Sequence, residues 1–161
     1  MSIDPSASLR LWFFNTEVII RVSETEGGDR ISVLDHRAAF GDSPPLHRHI
    51  DEDEIFHIIS GTVRFVVDGK ELTAGPGDTV RGPKNIPHTY RVESSDGARM
   101  LSITGRQQFE HFVRALGRQP TRQGLPDPSG PPVSGWRKRP RSWSTRSRTG
   151  PAAETSRGNS L

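Results

Sequence analysis

The chain has 161 residues, which is room for one domain of ordinary size with at most a tail. Hydrophobic residues make up 31% and aromatics 7%, against 16 glycines and 13 prolines, so either the fold is rich in turns or part of the chain stays outside it. The absence of cysteine excludes a disulfide framework, a thiolate metal site and a cysteine nucleophile, and no apolar run approaches the roughly 18 residues that cross a bilayer.

The net charge of +3 is divided unevenly. Residues 1–117 hold 13 Lys/Arg against 17 Asp/Glu, and residues 118–161 hold 9 against 2 among clustered Pro, Ser, Thr and Gly. The second composition cannot bury enough apolar surface to offset chain entropy. The expected organisation is therefore one domain over 1–117 followed by a disordered basic tail over 118–161. The stretch 11–20 comes nearest to a signal segment, but Glu17 interrupts it and no small-residue cleavage site follows, so a cytoplasmic protein is expected.

Taken in chain order, short apolar or alternating runs at 17–22, 30–37, 53–60, 62–67, 78–81, 88–92 and 98–104 predict strands. Turn signals separate them, among them Pro44-Pro45, Ser60-Gly61, Gly75-Pro76-Gly77 and Gly82-Pro83. Asp68-Gly69 between two alternating runs is the strongest hairpin signal. Many short strands with frequent turns predict an all-β sandwich, jelly roll or small barrel. One helix closes the domain, since Phe109, Phe112, Val113 and Leu116 share a helical stripe and Gly117 stands at its C-terminal end. That helix is expected to pack on the outside of the barrel.

Four of the six histidines fall between His47 and His88. His47 and His49 are two residues apart, which puts both imidazoles on one face of an extended segment. Glu54 opens the apolar run Ile55-Phe56-His57-Ile58-Ile59, and His88 follows Pro87 at the start of another strand. Three imidazoles and one carboxylate form a mixed nitrogen and oxygen donor set suited to a divalent first-row metal such as Fe, Mn, Ni, Co or Zn. Glu52 and Asp53 remain alternatives to Glu54. His57 alternates to the opposite face and reads as a packed or interface histidine, and His36 and His111 have no evident partner.

The run Gly41, five residues, His47-Arg48-His49, four residues, Glu54, six residues, Gly61 resembles the first sequence motif of the cupin superfamily. The run Gly77, five residues, Pro83-Lys84-Asn85-Ile86-Pro87-His88 resembles the second, with Asn85 where glycine is usual. Asn tolerates the same left-handed conformation, so the departure is mild. The resemblance, which spans about residues 17–117, implies an antiparallel jelly-roll β-barrel with a metal held by His47, His49, Glu54 and His88. The strand alternation agrees: Phe56 and Ile58 share a face with Glu54, as Tyr90 does with His88, which suggests an apolar or aromatic substrate pocket.

With this donor set the chain is similar to quercetin 2,3-dioxygenase-like cupins, which implies a metal-dependent dioxygenase acting on a small aromatic or enol substrate, with Glu54 as its base. A non-enzymatic small-molecule-binding module is the alternative, and a metal-dependent isomerase, epimerase or decarboxylase a further one, because fold does not fix reaction. Desolvation is expected to raise the basicity of Glu54. An inward-facing pair among Arg48, Arg64, Arg81, Lys84 and Arg91 would favour sugar phosphates. Edge strands of a jelly roll predict a homodimer. The basic run 136–143, flanked by Trp136 and Trp143, reads as a solvated tail before it reads as a nucleic-acid platform. The aperiodic Arg, Ser, Pro and Gly composition is also what a shifted reading frame yields.

Overall fold

The computed structural model describes residues 8–26, 28–106 and 108–128. The described residues form nine strands and one helix. β1 (Leu9–Phe13), β2 (Thr16–Val22), β3 (Ile31–Ala38), β4 (Glu54–Ser60), β5 (Val63–Val67), β6 (Lys70–Ala74), β7 (Thr79–Gly82), β8 (His88–Val92) and β9 (Ala98–Gly105) precede α1 (Gln108–Leu116). They form a six-stranded sheet in the order β1-β2-β3-β9-β4-β7 and a three-stranded sheet in the order β6-β5-β8, with every pair antiparallel. This is the expected all-β cupin-type barrel with one C-terminal helix.

Period-2 patterning fixes which side chains enter the barrel. Along β4, Glu54, Phe56 and Ile58 are buried, and along β8, His88, Tyr90 and Val92 are buried. The Asp68-Gly69 hairpin forms as read, with both residues at positive φ (52° and 71°). β1 is an addition to the sequence reading, because its short run merges with β2 across Phe14-Asn15, which carries no glycine or proline signal.

The core has two parts. One lies between the sheets and holds Phe56, Ile58, Val63, Phe65, Tyr90, Val92 and Met100. The other lies under α1 and holds Leu11, Phe13, Val18, Ile20, Leu34 and Val113, with Phe109 packed against it. α1 packs on β1, and Phe109 and Phe112 face a cavity between the two parts, so the helix is a wall of that cavity rather than an outer cover alone. Gly117 lacks a left-handed φ; its role is space, since a Cβ there would lie 2.5 Å from the Val113 carbonyl oxygen.

The chain beyond the helix does not leave the barrel at once. Arg118 exchanges two backbone hydrogen bonds with Trp12 on the outer edge of β1, at 2.9 and 3.0 Å. The Trp12 indole donates to the Gly124 carbonyl at 2.8 Å, and the guanidinium groups of Arg118 and Arg122 lie over its ring. Residues 118–124, read from composition as the start of a disordered tail, are thus fixed onto β1. The expectations for the run 136–143, for the reading frame and for disorder further on lie outside the described residues.

Candidate metal centre

β4 and β8 bring Glu54 and His88 together at their first residues, and the loop before β4 supplies His47 and His49. An isolated bridge holds that loop: His47 and His88 exchange backbone hydrogen bonds at 3.1 and 2.8 Å. Asn85 at φ 63° completes the turn before β8, and its backbone N–H donates to the His49 carbonyl at 2.6 Å. One donor atom from each of His47, His49, Glu54 and His88 lies within 4.8 Å of all the others.

Glu54 Oε2 is the common point, 3.0 Å from His49 Nε2, 3.3 Å from His88 Nε2 and 3.9 Å from His47 Nε2. Donors bonded at about 2.1 Å to one ion at right-angle to tetrahedral separations stand about 3.0–3.4 Å apart, so the His49 and His88 separations from Glu54 suit a first-row cation and His47 stands wider, at 3.9 Å. The far side of each imidazole is also held. His47 Nδ1 donates to the Pro45 carbonyl at 2.8 Å and His88 Nδ1 to the Ile86 carbonyl at 3.0 Å. His49 Nδ1 faces the Glu52 carboxylate at 3.5 Å. A carbonyl can only accept, so His47 and His88 carry their proton on Nδ1 and, when neutral, turn the Nε2 lone pair toward Glu54. Lone pairs converging on a buried carboxylate are electrostatically satisfied by a cation among them, and that is how these residues fit a metal.

The ion-free arrangement is the opposite one, with imidazole N–H groups hydrogen-bonded to the Glu54 carboxylate. Burial opposes charge on both His49 and Glu54, but hydrogen bonding between them and from Glu52 outweighs it, carrying His49 up to about 9. Glu54 is held well below the usual carboxylate range, burial notwithstanding, by His47, His49 and His88. The expected rise in Glu54 basicity therefore does not occur in this arrangement.

His47, His49 and Glu54 open onto a cavity of about 540 Å³, walled by Phe13, Phe14, Phe56, Tyr90, Met100, Phe109 and Phe112. Phe56 and Tyr90 line it as the alternation suggested. Ile58 does not; one strand pair deeper, it is fully buried in the inter-sheet core. His36 also lines the cavity, bonded to Ser102 Oγ at 2.8 Å and stacked on Phe109, and burial pushes it down to about 4, so it faces the cavity neutral. His57 bonds Thr79 on the outer face, and His111 bonds Glu24.

Of the two alternative carboxylates, Asp53 is half-exposed near Arg81 and caps the Lys84 amide. Glu52 is buried behind His49 and accepts the Phe109 amide at 2.7 Å, at the start of α1. Among Arg48, Arg64, Arg81, Lys84 and Arg91 only Arg48 lines the cavity, and Arg64, Arg81 and Arg91 pair with acidic groups elsewhere. Gly82, read only as a turn residue, has a tighter role: a Cβ there would meet the His88 ring at 2.9–3.0 Å.

A two-sheet antiparallel barrel with three histidines and a glutamate at one end of an aromatic cavity defines a cupin-type barrel with a possible metal site. Residues 37–104 match the Cupin domain family. It is 29% identical over 100 residues to quercetin 2,3-dioxygenase from Bacillus subtilis (strain 168), a match covering 62% of this chain and 29% of that protein. The chain thus spans less than a third of that relative's length. The fold is similar to that of KdgF from Halomonas sp. (TM-score 0.54, 14% identity, 69% of this chain and 88% of that one). It is also similar to oxalate decarboxylase from Bacillus subtilis, in a structure concerned with its Mn(II) centres (TM-score 0.57, 20% identity, 68% and 30%). No helix among the described residues is long and apolar enough to cross a membrane.

Proposed function

We propose that this chain is a metal-dependent dioxygenase acting on a small aromatic or enol substrate, with His47, His49, Glu54 and His88 as the metal ligands. The observation that carries the reading is the junction of the two features: the donor cluster forms one end of a cavity whose remaining wall is largely aromatic. The similarity to quercetin 2,3-dioxygenase supports it.

A divalent first-row ion held by His47, His49, Glu54 and His88 would supply Lewis-acid polarisation of a substrate oxygen and the redox chemistry of an oxygenase. The protein's own residues do the rest. Aromatic side chains hold a flat substrate against Phe56 and Phe109 and exclude water. Glu54 takes the substrate hydroxyl proton once its imidazole hydrogen bonds are released. Neutral His36, tied to Ser102, adds a polar edge without a charge to solvate. Among the described residues Arg48 is the one arginine lining the cavity, with no second beside it for a sugar phosphate, which places the isomerase reading behind.

Metal analysis of the purified protein beside His49→Ala and Glu54→Ala, each checked for folding by circular dichroism, is the first test. Near-stoichiometric metal lost in both variants, together with oxygen uptake on adding flavonols or other enols, is expected. A protein that takes up no metal on reconstitution overturns the reading in favour of a ligand-binding module.

A further inference from the structure

Besides three residues of the candidate metal centre, the cavity is lined by a hydrogen-bonded polar pair, Thr16, the first residue of β2, and Asp42, in the loop after β3. The Asp42 carbonyl accepts the Val92 amide at 3.0 Å, beside the last residue of β8. His88 is the first residue of that strand, and four residues of strand rise separate the two by about 13 Å. Phe13, Phe56 and Phe109 line the same cavity.

Asp42 is partly buried and has no ion-pair partner among the described residues; its carboxylate is held by the Thr16 hydroxyl, which donates to Oδ2 at 3.1 Å, and by the Ser43 backbone. Thr16 also faces the Tyr90 phenol. A carboxyl group in an apolar cavity is retained at a cost unless donors satisfy it, and a carboxyl with about four acceptor sites has capacity left after two donors. Burial raises its pKa, in keeping with an environment short of positive charge.

We propose that Asp42, oriented by Thr16, is a second polar anchor that selects flat aromatic ligands carrying a hydroxyl at the end remote from the metal centre. The proposal rests on the aromatic-substrate reading above and extends it to the far end of the ligand.

Its test is binding rather than turnover. Metal-loaded protein is titrated calorimetrically with flavonol, whose outer ring is bare, and with its counterpart bearing a hydroxyl at the far point of that ring. Wild-type protein is expected to bind the hydroxylated probe roughly tenfold more tightly, the size of one hydrogen bond to a charged acceptor. Asp42→Ala is expected to bring the ratio close to one. Should that variant fail to fold, Thr16→Val withdraws the orienting hydroxyl and is expected to lower the ratio about threefold. Equal binding of both probes by wild-type protein, or an unchanged ratio in a folded variant, overturns the anchor and leaves the aromatic reading standing. Binding of neither probe overturns both. Discriminating binding without oxygen uptake overturns the dioxygenase and upholds the anchor.

Discussion

Glu52 is not among the donors that converge on Glu54, yet its position gives it control over them. Its carboxylate stands behind His49 Nδ1 and accepts the amide of Phe109, the second residue of α1, so one buried side chain orients a candidate metal-ligating imidazole and seats the helix that walls the cavity. Outer partners of this kind are typically worth about 10–100-fold in metal affinity. Glu52→Gln, which keeps the shape, is expected to weaken metal binding by about that factor in a chelator competition, while Asp53→Asn leaves it unchanged.

His49 also sets the pH dependence. Its proton, held up to about 9 in the metal-free protein, must leave before an ion can take Nε2. Below about pH 9 the apparent metal affinity is therefore expected to fall about tenfold per pH unit, flattening above it. For folding the sign is opposite. A histidine whose pKa is raised in the folded state contributes stability that is full below its unfolded value of about 6.5 and lost as pH rises to about 9. Melting of the metal-free protein is expected to drop across that interval, and His49→Ala is expected to remove the drop.

At the scale of elements, the β1–β2 hairpin and α1 carry the cavity wall, and neither position followed from the pattern of the barrel strands. Phe14 turns the hairpin at φ 51°, a conformation costly for a bulky side chain, and sits largely exposed at the cavity mouth against Phe13 and Phe112. The strain is retained where it holds an aromatic ring over the opening. Phe14→Gly is expected to leave the melting temperature unchanged or raised while weakening binding of flavonol at least threefold. Loss of both together would make the residue a structural one.

At the scale of the whole molecule, the chain after α1 finishes the six-stranded sheet. Arg118 fills the backbone edge of β1 at Trp12, and Gly124 accepts from its indole. A chain ended after residue 117 is expected to melt several degrees below one ended after residue 128, since three hydrogen bonds at about 1 kcal/mol each are withdrawn from a buried tryptophan. The same contacts narrow the proposed homodimer: the β1 edge is partly taken by Arg118 and the β8 edge by His47, which leaves β6 and β7 as the more open edges for light scattering and edge variants to test.

The strands from β2 to β9, the Asp68-Gly69 hairpin and the grouping of His47, His49, Glu54 and His88 were legible in the sequence because they rest on local rules. Strand period assigns faces two residues apart, positive-φ turns demand Asp, Asn or Gly, and donors at the start of inward rows meet when those rows pair. What the sequence could not supply is what depends on chain segments far apart in number. Ile58 shares the face of Phe56 yet lies in the core because depth along a barrel, unlike face, is set by the opposite sheet. Glu52 and Asp53 differ in role because α1, more than 50 residues on, docks over only one of them. Thr16 and Asp42 become neighbours only when β2 and the loop after β3 close the same end of the cavity. Local chemistry thus determined the barrel and its candidate metal ligands, and long-range packing decided the cavity, the partners behind the histidines and the anchor at its far end.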